Sequence, residues 1–342
     1  EFAYKGKLDH KISGEFSPGN VSQSGVSLLA STYWYPIVEN AFVTYTLNVS
    51  HPKNWSVASG GIETEQTLTT STWKATKTQD DIYLISYPFK KYERKGSHLH
   101  SAVYLRQKND ELAKKYLDFT DYYINQYSKL VGPYPYEKFF VLENYWETGY
   151  GMPSFTLLGP SVIKLPFLFY TSFPHEILHN WWGNSVYVDY DKGNWAEGLT
   201  TYMADHALQE QRGKGKKSRK SMIKSFMAYA NEKSDFPLKD FKSRHNNATR
   251  AIGYNKSAMF FHMLKVQLGT DIFYQSLQHF YKNNLWKKAT WSDLKESFET
   301  VSSTNLSNSF DLWVNHRGQA DLAISQVKLS KSNKEVTNLS FT

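Results

Sequence analysis

The run His175-Glu176-Ile177-Leu178-His179 constrains this chain more than any other stretch. Residues four apart on a helix share a face, so both imidazoles can meet one metal ion while Glu176 faces the same cavity from beside them. A catalytic zinc takes three protein ligands and keeps one position open for water. Glu197, in Asn194-Trp195-Ala196-Glu197-Gly198, follows a tight turn, opens a second apolar run and is the natural third ligand. Asp189 and Asp191 are alternative oxygen donors, but each falls in a loop rather than on a rigid helix. The same five-residue pattern also occurs on helices whose histidines merely face solvent, so its context matters. Here Ser172 and Pro174 predict the helix start as N-cap and early-helix proline, and Ile177, Leu178, Trp181 and Trp182 predict its burial. A buried helix carrying two histidines needs partners for them.

At 342 residues the chain has room for two or more cores. An aromatic share of 16% excludes a disordered chain. The net charge of +8 is concentrated in Arg212–Lys220, which reads as a solvated loop between two helices. That run carries two glycines and no interleaved aromatic, which argues against a nucleic-acid surface. Cysteine is absent, so every zinc ligand must be His, Asp or Glu, and the chain is compatible with an oxidising periplasmic or extracellular setting. No run of some eighteen apolar residues would span a bilayer. The start at Glu1 without methionine fits processing or excision from a longer protein. The sequons at Asn48 and Asn54 matter only if the source glycosylates.

Residues 1–95 alternate in short runs, as in Val43-Thr44-Tyr45-Thr46-Leu47-Asn48-Val49, and predict β-sheet. After Leu105 the period changes. Leu112, Tyr116, Phe119, Tyr123 and Tyr127 recur at helical spacing until Gly132-Pro133-Tyr134-Pro135 stops them. Phe139–Leu142 predicts a short buried strand, and amphipathic helical runs follow at 199–208, 221–232, 256–267 and 272–283. Alternation returns at Leu322–Leu329. The expected class is α+β: a β remnant over 1–95, a mainly helical catalytic domain over 96–318 and the start of a β-domain over 319–342.

Four landmarks in order, Val131-Gly132-Pro133-Tyr134-Pro135-Tyr136, HEILHNWWGN from His175, Trp195-Ala196-Glu197-Gly198 and Tyr254-Asn255-Lys256-Ser257-Ala258-Met259, resemble the aminopeptidase N-like zinc metallopeptidases, gluzincins with a thermolysin-like catalytic domain. Weaker likeness extends to Tyr33-Trp34-Tyr35-Pro36 and to Trp313–Gly318. The resemblance implies one Zn²⁺ held by His175, His179 and Glu197, with Glu176 as general base and Tyr254 as donor to the oxyanion. Asp205, about two helical turns beyond Glu197, is a candidate to orient a ligating imidazole. Arg250 is a candidate for a substrate carboxylate or carbonyl. His206 and His262 read as packed or solvated histidines.

Two departures from the family pattern stand out. Residues 180–196 leave 17 positions between His179 and Glu197, one fewer than usual, in a connection that tolerates a deletion. More consequentially, the family's Gly-x-Met-Glu-Asn segment, whose glutamate binds the substrate's free amine, is here Gly149-Tyr150-Gly151-Met152-Pro153-Ser154. The anionic anchor is gone, unless Glu143 or Glu147 takes its place. Gly149, Gly151 and Met152 can still line a peptide substrate by backbone hydrogen bonds. Peptide hydrolysis is therefore expected, with an endopeptidase or oligopeptidase as the alternative to an aminopeptidase. A catalytically silent scaffold is a further alternative, opposed by the full complement of ligands and base.

Overall fold

The computed structural model describes residues 3–6, 19–38, 41–147, 149–318, 328–332 and 335–340. The N-terminal region is built from short strands, as the alternation predicts. β1 (Asn20–Ser22), β2 (Gly25–Leu28), β3 (Val43–Ser50), β4 (Ser56–Ala58), β5 (Ile62–Gln66), β6 (Thr70–Gln79) and β7 (Leu84–Tyr87) form two sheets, ordered β1-β2-β7-β4 and β3-β6-β5. A five-stranded mixed sheet follows, with β8 (Lys90–Lys95), β9 (His100–Leu105), β10 (Lys138–Glu143), β11 (Gly149–Met152) and β12 (Phe155–Leu158) in the order β11-β12-β10-β9-β8. β9 and β10 run parallel, which demands a crossover; helix α1 (Asp110–Leu130) provides it. Asn109 caps that helix by accepting from the Leu112 amide, and Gly132 lies just beyond its end at φ 141°.

β10 explains why residues 139–142 read as a continuous apolar run. Phe140 and Leu142 point into a core shared with Val57, Trp73, Tyr83 and Ile85 of the β-layer, whereas Phe139 and Val141 join the helical core with Tyr116, Phe173 and Trp181. A strand covered on both faces has no need of a polar side. One cation is nevertheless buried in it: Lys138 is 3% exposed, donates to Ser154 Oγ at 2.9 Å and faces the Phe140 ring at 4.4 Å.

The helical half comprises α2 (Ser172–Leu178), α3 (Ala196–Thr200), α4 (Ala207–Gln211), α5 (Gly215–Tyr229), α6 (Asn247–Arg250), α7 (Ser257–Leu268), α8 (Thr270–Asn284), α9 (Trp291–Ser302) and α10 (Ser307–Phe310). A π-helical segment, Thr201–His206, joins α3 to α4, and another, Ala251–Lys256, joins α6 to α7. A parallel bridge of β13 (Tyr187–Val188) with β14 (Lys288–Ala289) ties the region after α2 to the C-terminal helices.

Two local expectations need correction. α2 begins at Ser172, so the cap position falls on Thr171, which makes no side-chain cap bond. The basic run is not a loop: from Gly215 onward it is the first half of α5, because Lys and Arg are good helix formers and only Gly213, at φ 70°, turns the chain. At the C-terminal end, β15 (Lys328–Ser332) and β16 (Glu335–Ser340) pair antiparallel, while residues 319–327, which hold most of the alternation at 322–329, lie outside the described residues. Among the described residues no helix is long and apolar enough to cross a membrane.

Candidate metal centre

α2 is only seven residues long, and its position is fixed from several sides. Phe173, Ile177, Leu178, Trp181 and Trp182 are fully buried, and the Trp181 indole donates to Gly132 O at 3.0 Å, which ties the helix to the turn after α1. The buried Asn180 accepts from the Ser154 amide at 2.8 Å and so fastens α2 to the β11–β12 hairpin. Ser154 itself sits at φ 70°, a left-handed conformation held by that amide bond and by Lys138.

α3 is fixed with equal care. The Trp195 indole donates to Ala289 O at 2.8 Å, and the Asn194 side chain accepts from the Ala196 amide at 3.1 Å. A β-carbon on Gly198 would lie 1.8 Å from Ser257 Oγ, and one on Gly253 would lie 2.2 Å from the Phe241 ring. Only glycine permits the approach of α3 to α7 that sets Glu197 beside Tyr254.

With both helices so placed, His175 Nε2 stands 3.4 Å and His179 Nε2 3.5 Å from the same Glu197 oxygen. Donors at roughly 2.0–2.1 Å around a tetrahedral zinc are about 3.3 Å apart, so these distances suit that ion. The other ring nitrogens are occupied. His175 Nδ1 meets Asp205 Oδ2 at 3.0 Å and His179 Nδ1 meets Trp182 O at 2.9 Å, which directs each Nε2 at the common point. The shorter connection thus leaves Glu197 within reach. Asp189 instead accepts from the Asp191 amide, and Asp191 pairs with Lys242 at 3.4 Å.

Burial alone would lower the pKa of His175, but Asp205 and Glu197 overcome it and raise it well above the ordinary value; His179 rises in the same way beside Glu197. Burial acts to raise Glu197, yet the His179 and His175 rings hold it far below the usual carboxylate range. Glu176 is raised, by burial first. The Tyr254 ring lies 6.5 Å from that of His175 at 13°, and its hydroxyl is raised by burial and by the neighbouring Glu197.

These groups line one cavity of about 560 Å³. It brings together His175, Glu176, His179, Glu197, Asp205 and Tyr254 with Gly149, Gly151, Met152 and Arg250. Gly151 passes directly over Glu176: a β-carbon there would lie 2.6 Å from Glu176 Oε2. Glu147 does not join them. It is exposed and accepts from the Ser161 amide at 3.0 Å. Glu143 is also engaged elsewhere, accepting from the Arg106 amide at 2.7 Å. Asp80, Tyr190 and Arg244 line the cavity without any sequence pattern to mark them. Asp80 and Arg244 lie far from the motif in sequence, and only the packing of the β-layer against the helices delivers Asp80.

A second group, His206, Glu210 and His262, also has its donor atoms within 4.8 Å of one another. Arg219 bonds His206 Nε2 at 3.0 Å and Glu210 at 3.0 Å, so a cation already occupies it.

Residues 170–313 match the Peptidase family M1 domain. The chain is 28% identical over 165 residues to aminopeptidase N of Haemophilus influenzae, covering 46% of this chain and 19% of that protein. It is 23% identical over 327 residues to glutamyl aminopeptidase of Sus scrofa, covering 85% and 34%. The chain therefore spans only a minor part of the curated relatives it matches. Among solved structures, the M1 zinc metallopeptidase from Deinococcus radiodurans superimposes with a TM-score of 0.63 at 20% identity, covering 80% of this chain and 64% of that one. Native yeast LTA4 hydrolase superimposes with a TM-score of 0.62 at 16% identity, covering 82% and 48%. Residues 170–313 thus match a Peptidase family M1 domain, and the ordered motifs and these relatives make the chain similar to the aminopeptidase N-like zinc metallopeptidases of that family.

Proposed function

We propose that the chain hydrolyses peptide bonds in the cleft between β11 and α2, as an aminopeptidase-type zinc enzyme. His175, His179 and Glu197 would hold a zinc ion, which when bound would supply Lewis acidity for the scissile carbonyl and for the attacking water. Glu176, next to a ligand but not itself one, takes the proton of the attacking water and delivers it to the leaving amine. Tyr254 donates to the oxyanion that develops as water adds. The outer edge of β11, an edge strand of its sheet, offers backbone groups to an extended peptide.

The observation that carries this reading is the pair of Nε2–Oε2 distances, 3.4 and 3.5 Å, with both Nδ1 atoms tied off behind them. Glu176→Gln tests it. Elemental analysis should find one zinc per chain in both proteins, with peptide turnover in the parent reduced at least a thousandfold in the variant. A parent that holds no zinc, or whose peptidase activity survives chelation, would overturn the reading.

A further inference from the structure

The cleft holds one carboxylate that this reaction leaves without a task. Four line it: Glu176, Glu197, Asp205 and Asp80. The first three belong to the base, the ligand set and the support of His175. Asp80 comes from elsewhere, directly after β6, so it enters the cleft from the N-terminal β-layer and not from the helices.

Its surroundings are those of an anion awaiting a cation. The residue lines the cleft with solvent-accessible surface, while protein closely surrounds its carboxyl, which meets the Tyr83 hydroxyl at 3.4 Å and amides of its own turn. No lysine or arginine pairs with it among the described residues. Surrounding protein, and then neighbouring Asp81, push its carboxyl up to about 6. Asp81, by contrast, is fully used: it accepts from the Ala30 amide and the Tyr35 hydroxyl, each at 2.8 Å. The segment that would ordinarily carry an amine-binding glutamate reads Met152-Pro153-Ser154, and Glu143 and Glu147 are bonded to backbone amides away from the cleft. An ammonium in a protein-walled cleft requires a carboxylate partner.

Resting on the hydrolytic reading above, we propose that Asp80 binds the free α-ammonium of the substrate's first residue, so that unblocked peptide N-termini are selected by the β-layer instead of by the β11–β12 hairpin. The test uses zinc-loaded chain carrying Glu176→Gln, titrated calorimetrically with Leu-Ala-Ala and with N-acetyl-Leu-Ala-Ala. The free peptide should bind at least tenfold tighter. Asp80→Asn should erase that difference while leaving zinc content and binding of the acetylated peptide unchanged, and Asp80→Glu, which keeps the charge but shifts it, should reduce the preference. Equal binding of the two peptides by the chain with Asp80 intact overturns the proposal, whatever the folding of the variants. So does a preference that survives Asp80→Asn or is unchanged in Asp80→Glu, or a loss confined to peptides that begin with Lys or Arg. The two readings fail separately: equal cleavage of free and blocked peptides removes the role of Asp80 but not hydrolysis, whereas amine-dependent binding without turnover does the reverse.

Discussion

Gly151→Ala is a sharp test of how the base is positioned, because it adds one methyl group against Glu176 and nothing else. The new carbon would lie 2.6 Å from Glu176 Oε2, 3.2 Å from Glu176 O and 3.4 Å from His179 Cβ. The carbonyl contact asks the helix to give by a few tenths of an ångström, and the largest displacement falls on the carboxylate. It must retreat by about 0.8 Å to reach ordinary contact, and misplacement of a reacting group by roughly 1 Å costs on the order of a hundredfold in rate. That corresponds to about 2.7 kcal/mol in the barrier. Glu176 is not a ligand, so zinc content should be unchanged. Gly151 lies in a strand and is not among the glycines at positive φ, so alanine adds no backbone strain, and the midpoint of thermal unfolding should move little. The assay is steady-state cleavage of a tripeptide with zinc quantified in the same samples. Should kcat stay within twofold of the parent in a fully zinc-loaded, folded variant, either Glu176 is not the base or its position does not limit the reaction.

Two further outcomes follow from the same geometry. Asp205→Asn removes the anion 3.0 Å from His175 Nδ1 while keeping its shape, and zinc affinity measured by competition with a chromogenic chelator should weaken by roughly 10–100-fold; unchanged affinity would make Asp205 a bystander. Burial holds Lys138 at about 7 when folded against an ordinary value of 10.5, so between those pH values the unfolded chain binds the extra proton and stability rises with pH, by up to about 1.4 kcal/mol per unit. Urea denaturation of Lys138→Met at pH 7 and 9 should show a smaller rise than the parent, and parallel slopes would refute the assignment.

The sequence was most readable where one local period or one short spacing determined the outcome. Leu112, Tyr116, Tyr123 and Tyr127 announce α1, and the apolar run at 139–142 announces a strand buried on both faces. His175 and His179 share a helical face by arithmetic alone. The misreadings have local causes. Arg212–Lys220 looked like a loop because its glycines are conspicuous, yet Arg219 is held on α5 by Glu210 and His206, contacts invisible without α4 alongside. Glu147 looked available to the cleft because it is near Gly149 in sequence, but amides at Ser161 and Val162 offered its carboxylate closer partners. Asp80 could not have been found from its neighbours, since an aspartate after a strand ordinarily marks a turn.

What separates the legible from the illegible part of the site is how each residue reaches the cleft. His175, Glu176 and His179 arrive on a single short helix, so their relation is written in five consecutive letters. Glu197 and Tyr254 arrive on different helices, and their meeting depends on Gly198 against Ser257 and Gly253 against Phe241, approaches with no space for a β-carbon. Both helices then run into or through π-helical segments, Thr201–His206 and Ala251–Lys256, whose wider turns alter which residues face inward. Asp205 falls in the first and Tyr254 in the second. A plain 3.6-residue count from Glu197 therefore only approximates where Asp205 should point, and the extra residue in each wide turn is what brings the carboxylate to His175 and the phenol ring parallel to it.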